Sequence, residues 1–139
     1  MEGDTIMMEE KENLRAGLEA FQVGDWDMAV RELELATRDD PDDAYAFSFL
    51  GTAYVQQGRQ NLAIGAFKKA AELDPKSARA HYNLAQACES AGVLTEAWFE
   101  YRKALELDPW YGLARGALAA LTPKLERMRT QSMQSRIQA

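Results

Sequence analysis

The sequence predicts an all-α chain built as a stacked array of helical hairpins. Prolines stand at 41, 75 and 109, spaced 34 and 34 apart. Counted back from them, the chain divides into three segments, about 10–43, 44–77 and 78–111, and small residues recur in register through all three. Large residues stand between the small ones within a segment, as close helix packing requires. A fixed period of this size marks units that cannot bury their apolar faces alone and do so by stacking.

The register is specific. Gly17, Gly51 and Ala85 hold repeat position 8, Ala29, Ala63 and Ala97 hold position 20, and Ala36, Ala70 and Ala104 hold position 27. Large residues stand between them: Phe47 and His81 at position 4, Leu50 and Leu84 at 7, Tyr54 and Cys88 at 11, and Leu33, Phe67 and Tyr101 at 24. A small residue at position 8 of a first helix is expected to let position 20 of the second helix approach. Gly24, Gly58 and Gly92 fall at position 15, where a left-handed cap ends the first helix and favours glycine. The Asp-Pro after each second helix ends it, because proline disfavours helical geometry in the residue before it.

These positions resemble the tetratricopeptide repeat (TPR) family. The second and third segments match its pattern at nearly every place. The first departs at positions 4, 7 and 11, which hold Asn13, Ala16 and Ala20, and its Leu14 and Leu18 are expected to take over some packing. The resemblance implies a right-handed α-solenoid of three repeats. Its concave face would hold a peptide or a partner protein, with no catalysis.

Taken in order, the first helix is expected from about Ile6 or Met7 to Val23, after a frayed start, with Leu14, Leu18 and Phe21 on one face. Asp25 or Asp27 is placed to cap a second helix, Trp26 to Arg38. Four aspartates around Pro41 suit the positive end of the next helix and lack the spacing of a calcium loop. Helices follow at about 44–57, 60–72, 78–91 and 94–106. Residues 112–122, GLARGALAALT, read as a capping helix that starts a fourth repeat and does not complete it. Residues 1–122 therefore form the repeat domain. Residues 123–139 form a basic tail, expected as one more helix kinked from the cap at Pro123.

The 139 residues fit one domain, and 47% hydrophobic residues support a packed core. The net charge of −6 is polarised: residues 1–43 carry −10, residues 44–122 carry +1 and the tail carries +3. Overall acidity argues against general nucleic-acid binding, which needs a basic stripe. The lone Cys88 excludes an internal disulfide. The N-terminus has no basic start with an apolar run, and no stretch approaches the ~20 apolar residues of a spanning helix, so a cytosolic protein is expected. Peripheral membrane association and homo-oligomers stay open.

No catalytic set is legible. His81 and Cys88 are seven apart on one helix face, but these positions face into the hairpin and no third residue is placed to orient the imidazole, so core packing is the expected role. There is no metal-ligand spacing, phosphate loop or cofactor motif. In the resembled architecture, positions 2, 5, 6, 9, 12 and 13 of each first helix line the groove. They are Lys11, Leu14, Arg15, Leu18, Phe21 and Gln22 in the first repeat, and Tyr45, Ser48, Phe49, Thr52, Val55 and Gln56 in the second. In the third they are Arg79, Tyr82, Asn83, Gln86, Glu89 and Ser90, with Leu113 and Gly116 from the cap. Apolar groups at one end and amides at the other suit a helix or extended peptide, unless the chain's own termini cover them. One TPR subclass grips the terminal carboxylate of chaperones with a Lys/Asn/Asn/Lys/Arg clamp. The matching positions are Leu14, Leu18, Phe49, Arg79 and Asn83, of which only Arg79 is basic, so that clamp is not expected.

Two further surfaces stand out. Phe99, Trp110 and Tyr111 occupy places where small or polar residues are usual; they either pack under the cap or anchor a partner. Lys124, Arg127, Arg129 and Arg136 make the tail a cationic segment able to dock on an acidic surface. The expected function is a protein–protein interaction module, an adaptor or accessory subunit. The alternative is a self-assembling structural protein whose tail or open repeat edge meets an acidic first repeat.

Overall fold

The computed structural model describes residues 2–139, with side chains from residue 12 onward. Lys11, named above among the groove residues, lies outside the described side chains. Among the described residues there are seven α-helices and no strand: α1 (Glu2–Val23), α2 (Trp26–Asp39), α3 (Ala44–Gln56), α4 (Gln60–Leu73), α5 (Ala78–Ser90), α6 (Leu94–Leu107) and α7 (Gly112–Gln138). Helix α1 starts four or five residues before the expected Ile6 or Met7. The chain divides into two compact units, one ending at Pro75 and one running from Lys76 to Ala139.

In the first unit α1 packs on α2, α2 on α3, and α3 on α4. Ala29 and Ala63 have no exposed surface. The side chain nearest the small residue at position 8 is the large one at position 24. A Cβ built on Gly17 would lie 2.8 Å from Leu33 Cγ, and one on Gly51 would lie 2.8 Å from the Phe67 ring. The alanine at position 20 shortens the gap between helices, and the large side chain at 24 crosses it. Burying such a side chain is worth about 1.5–3 kcal/mol. The hairpin turns follow from glycine: Gly24 and Gly58 have φ of 75° and 73°. Each is bracketed by a hydrogen bond from the next residue back to the helix, Asp25 N to Ala20 O at 2.9 Å and Arg59 N to Tyr54 O at 2.9 Å. Of the two candidate caps for α2, Asp25 accepts from Met28 N, whereas Asp27 accepts from the Gln57 side chain of the α3 C-cap. Asp43 caps α3 by accepting from Tyr45 N and Ala46 N.

A buried phenol fastens α3 to α2. Tyr54 is buried and its hydroxyl donates to the Glu34 carboxylate. Burial first, then the hydrogen bond and the charge of Glu34, push the phenol from 10.0 up to about 12. The raised value stabilises the fold fully below pH 10, and that contribution is lost as pH rises through 12.

In the second unit α5 packs on α6 and α6 on α7. Ser77 caps α5 by accepting from Ala80 N, and Gly92 turns the hairpin with φ 78°. Ala85, Ala97 and Ala104 are fully buried, and Tyr101 fills position 24, its hydroxyl donating to Glu89 Oε2 at 2.6 Å. Burial, then the hydrogen bond to Glu89, raises its pKa. His81 is buried, with Nδ1 2.7 Å from Glu100 Oε2. Glu100 is thus the orienting group that sequence spacing did not reveal.

The cap and the tail form a single helix. Helix α7 runs through Pro123 without interruption. Proline removes one backbone donor, but Pro123 is exposed, so the carbonyl it leaves unpaired can be hydrated. Thr122 Oγ1 also donates to Leu118 O at 2.8 Å in the same turn. At 1.5 Å per residue α7 is about 40 Å long against about 21 Å for α6. Leu121 is buried, Leu125 half-buried, and every residue from Glu126 to Ala139 exposed.

Two outcomes follow from this packing. Gly51→Ala is expected to lower stability by about 1–3 kcal/mol in denaturant unfolding, and Phe67→Leu in the same chain should recover part of that loss. Additive losses would show that the two positions do not meet. Tyr54→Phe is expected to cost about 1–2 kcal/mol at neutral pH. In melts across pH, its deficit against the parent should narrow as pH rises from 10 to 12.

Candidate partner-binding surface

The hairpin packing leaves one face of each first helix uncovered by its own second helix. In the first unit α1 and α3 lie side by side, and their aromatic residues form a row. The Tyr45 and Phe49 rings meet edge to face at 4.7 Å, Phe49 and Phe21 at 4.9 Å, and Phe21 and Trp26 at 5.3 Å. Such edge-to-face pairs fix ring orientation and add about 0.5–1.5 kcal/mol each beyond burial. The row is pre-formed yet open: Tyr45 is 59% exposed, while Phe49, Phe21, Leu14 and Leu18 are half-buried. Thr52 offers little polarity, because its hydroxyl donates to Ser48 O of its own helix. What this surface can do is bury apolar side chains.

The second unit has a smaller and more polar row. Tyr82 is half-buried between Tyr101, with centroids 5.8 Å apart, and Tyr111, 5.2 Å apart and edge to face. Burial first, then Tyr111 and Glu89, raises the Tyr82 pKa. Asn83 is half-buried beside it, and Arg79 and Gln86 are exposed.

The aromatic trio at the end of the repeats divides. Tyr111 packs on Tyr82, whereas Phe99 and Trp110 are exposed, Trp110 at 84%. The side chain held under α7 is the neighbouring Trp98, whose Nε1 donates to Thr122 Oγ1 at 3.0 Å. Phe99 meets Trp98 edge to face at 5.2 Å, and the Arg102 guanidinium lies 5.5 Å from the Trp98 ring centroid. Trp98 was missed because it stands next to Phe99, about 100° around the helix, and sequence alone does not say which of the two turns inward. The tail cations Lys124, Arg127, Arg129 and Arg136 are all exposed.

His81 and Cys88 are both enclosed in the α5–α6 hairpin. Among the described residues no group of three or more His, Cys, Asp or Glu could hold a metal ion, and no helix is long and apolar enough to cross a membrane.

Comparison with known proteins agrees with this architecture. A family model described as TPR repeat matches residues 51–92, and one described as Tetratricopeptide repeat matches residues 78–109. No curated protein sequence matches significantly. Among solved structures, the first TPR domain of Spaghetti (RPAP3), bound to an HSP90 peptide, is 21% identical with a TM-score of 0.79, over 86% of this chain and 94% of that one. A crystallised MamA protein is 27% identical with a TM-score of 0.78, over 84% of this chain. The chain spans 63% of that MamA chain. The Arabidopsis OM64 TPR domain is 23% identical with a TM-score of 0.76, over 84% of this chain and 96% of that one. The chain carries tetratricopeptide repeats and has the all-α fold of TPR solenoids.

Proposed function

We propose that the chain is a non-catalytic protein-interaction module, an adaptor or accessory subunit, that docks an apolar segment of a partner on the first-helix row of α1 and α3. The observation that carries this reading is the open aromatic row Tyr45–Phe49–Phe21, ordered by ring contacts before any partner arrives. Pre-organised rings lose little entropy on binding, which is why aromatic anchors dominate interface energetics. That the RPAP3 domain holds an HSP90 peptide supports a peptide or helix as the ligand class.

The chemistry of the ligand differs from a chaperone tail. Gripping a terminal carboxylate needs cations, and of the corresponding places, Leu14, Leu18, Phe49, Arg79 and Asn83, only Arg79 is basic. The row selects for Leu, Ile, Met or aromatic side chains spaced to reach adjacent helices. Acidic surroundings, with residues 1–43 at −10, favour a partner segment that is also basic.

A peptide library displayed on phage and panned on the full chain tests this. Selected peptides are expected to be apolar with basic flanks, and to bind Tyr45→Ala/Phe49→Ala at least tenfold more weakly (roughly 1.4 kcal/mol) at an unchanged melting temperature. Equal binding to parent and double variant would move the site elsewhere.

A further inference from the structure

We infer that the C-terminal half of α7 docks in trans, on the open edge of the first repeat of a second copy of this chain. The inference starts from a helix without support. Residues 126–138 are helical yet exposed on every side, including Met128, Met133 and Ile137. A single helix of this length is marginal in water without tertiary contact. Among the described residues, none of its cations Lys124, Arg127, Arg129 and Arg136 stands in an ion pair.

The chain itself supplies the complementary surface. Residues 1–75 hold 16 Asp and Glu against 7 Lys and Arg, a net −9, and residues 76–139 hold 6 against 9, a net +3. On the first repeat, Glu12, Asn13, Ala16 and Glu32 line an open groove of about 460 Å³ between α1 and α2. Met28, Glu32 and Leu35 share one face of α2 at spacings of four and three, and Met28 and Leu35 are each more than a third exposed. Glu12 and Glu32 border this groove, and Asp39 meets Asn13 beside it, while Arg15 is engaged with Glu19 at 3.8 Å. This edge offers a shallow apolar strip between carboxylates; the tail offers exposed methionines and isoleucine between guanidinium groups. Each has what the other lacks, and both are present in equal number in any solution of the chain.

Tail and edge are different surfaces, so the contact is heterologous. Repeated from copy to copy, it closes as a ring or continues as a filament. Its strength depends on exposed charges and therefore falls with ionic strength.

Sedimentation velocity of the full chain, across concentration at low and high salt, tests the inference. The parent is expected to associate as concentration rises in low salt and to dissociate in high salt. Arg127→Glu/Arg129→Glu and Glu12→Lys/Glu32→Lys should each weaken association by roughly tenfold or more. Mixing the two variants should restore it, because the reversed tail of one then meets the reversed edge of the other. Restoration also shows that both variants are folded. A parent that stays monomeric in low salt overturns the inference, whatever else then occupies the tail. So does a variant that associates like the parent, or a mixture of weakened variants that does not recover.

Discussion

One steric relation underlies the rest: a residue with little or no side chain on each first helix faces a large side chain on its second helix. Gly17 accepts Leu33 and Gly51 accepts Phe67, at distances where even a methyl group would not fit. In the third repeat Ala85 and Tyr101 hold the same places and are both buried. This contact brings the two helices close, commits one face of the first helix to the hairpin, and leaves another face open. Where that open face carries aromatic residues on adjacent first helices, as at Phe21 and Phe49, the rings meet and form a surface. The proposed docking surface and the hairpin packing are therefore two faces of the same helices.

Much of this was legible in the sequence because it repeats. A period of 34 fixes helix boundaries to within a few residues, and three glycines at one register position announce three left-handed turns, all found. The resembled architecture puts Tyr45, Phe49 and Phe21 among the groove positions, and their rings meet in the fold. What the repeat does not encode is how unlike side chains meet. Size alone pairs position 8 with position 20 and does not reveal that its nearest side chain is the one at position 24. Glu34 and Glu100, which bind Tyr54 and His81, carry no mark in the sequence, and Glu89, expected on the groove, accepts from the Tyr101 hydroxyl. Their roles depend on which rotamer crosses between helices, and periodicity says nothing about that.

The end of the chain shows where a local rule gives way to context. Proline usually interrupts a helix, yet α7 continues through Pro123, on the exposed side where the missing hydrogen bond is left to water. The helix extends the cap, and its exposed cations Lys124, Arg127, Arg129 and Arg136 are distributed around it.

Aromatic-row docking is most directly measured by methyl and aromatic NMR of the full chain titrated with a peptide selected on it. Shift changes and intermolecular NOEs are expected at Leu14, Leu18, Phe21, Tyr45 and Phe49, with the ring signals of Tyr54 and Phe67 little changed. Perturbations confined to the outer faces of α2 and α4, with the row unaffected, would contradict it.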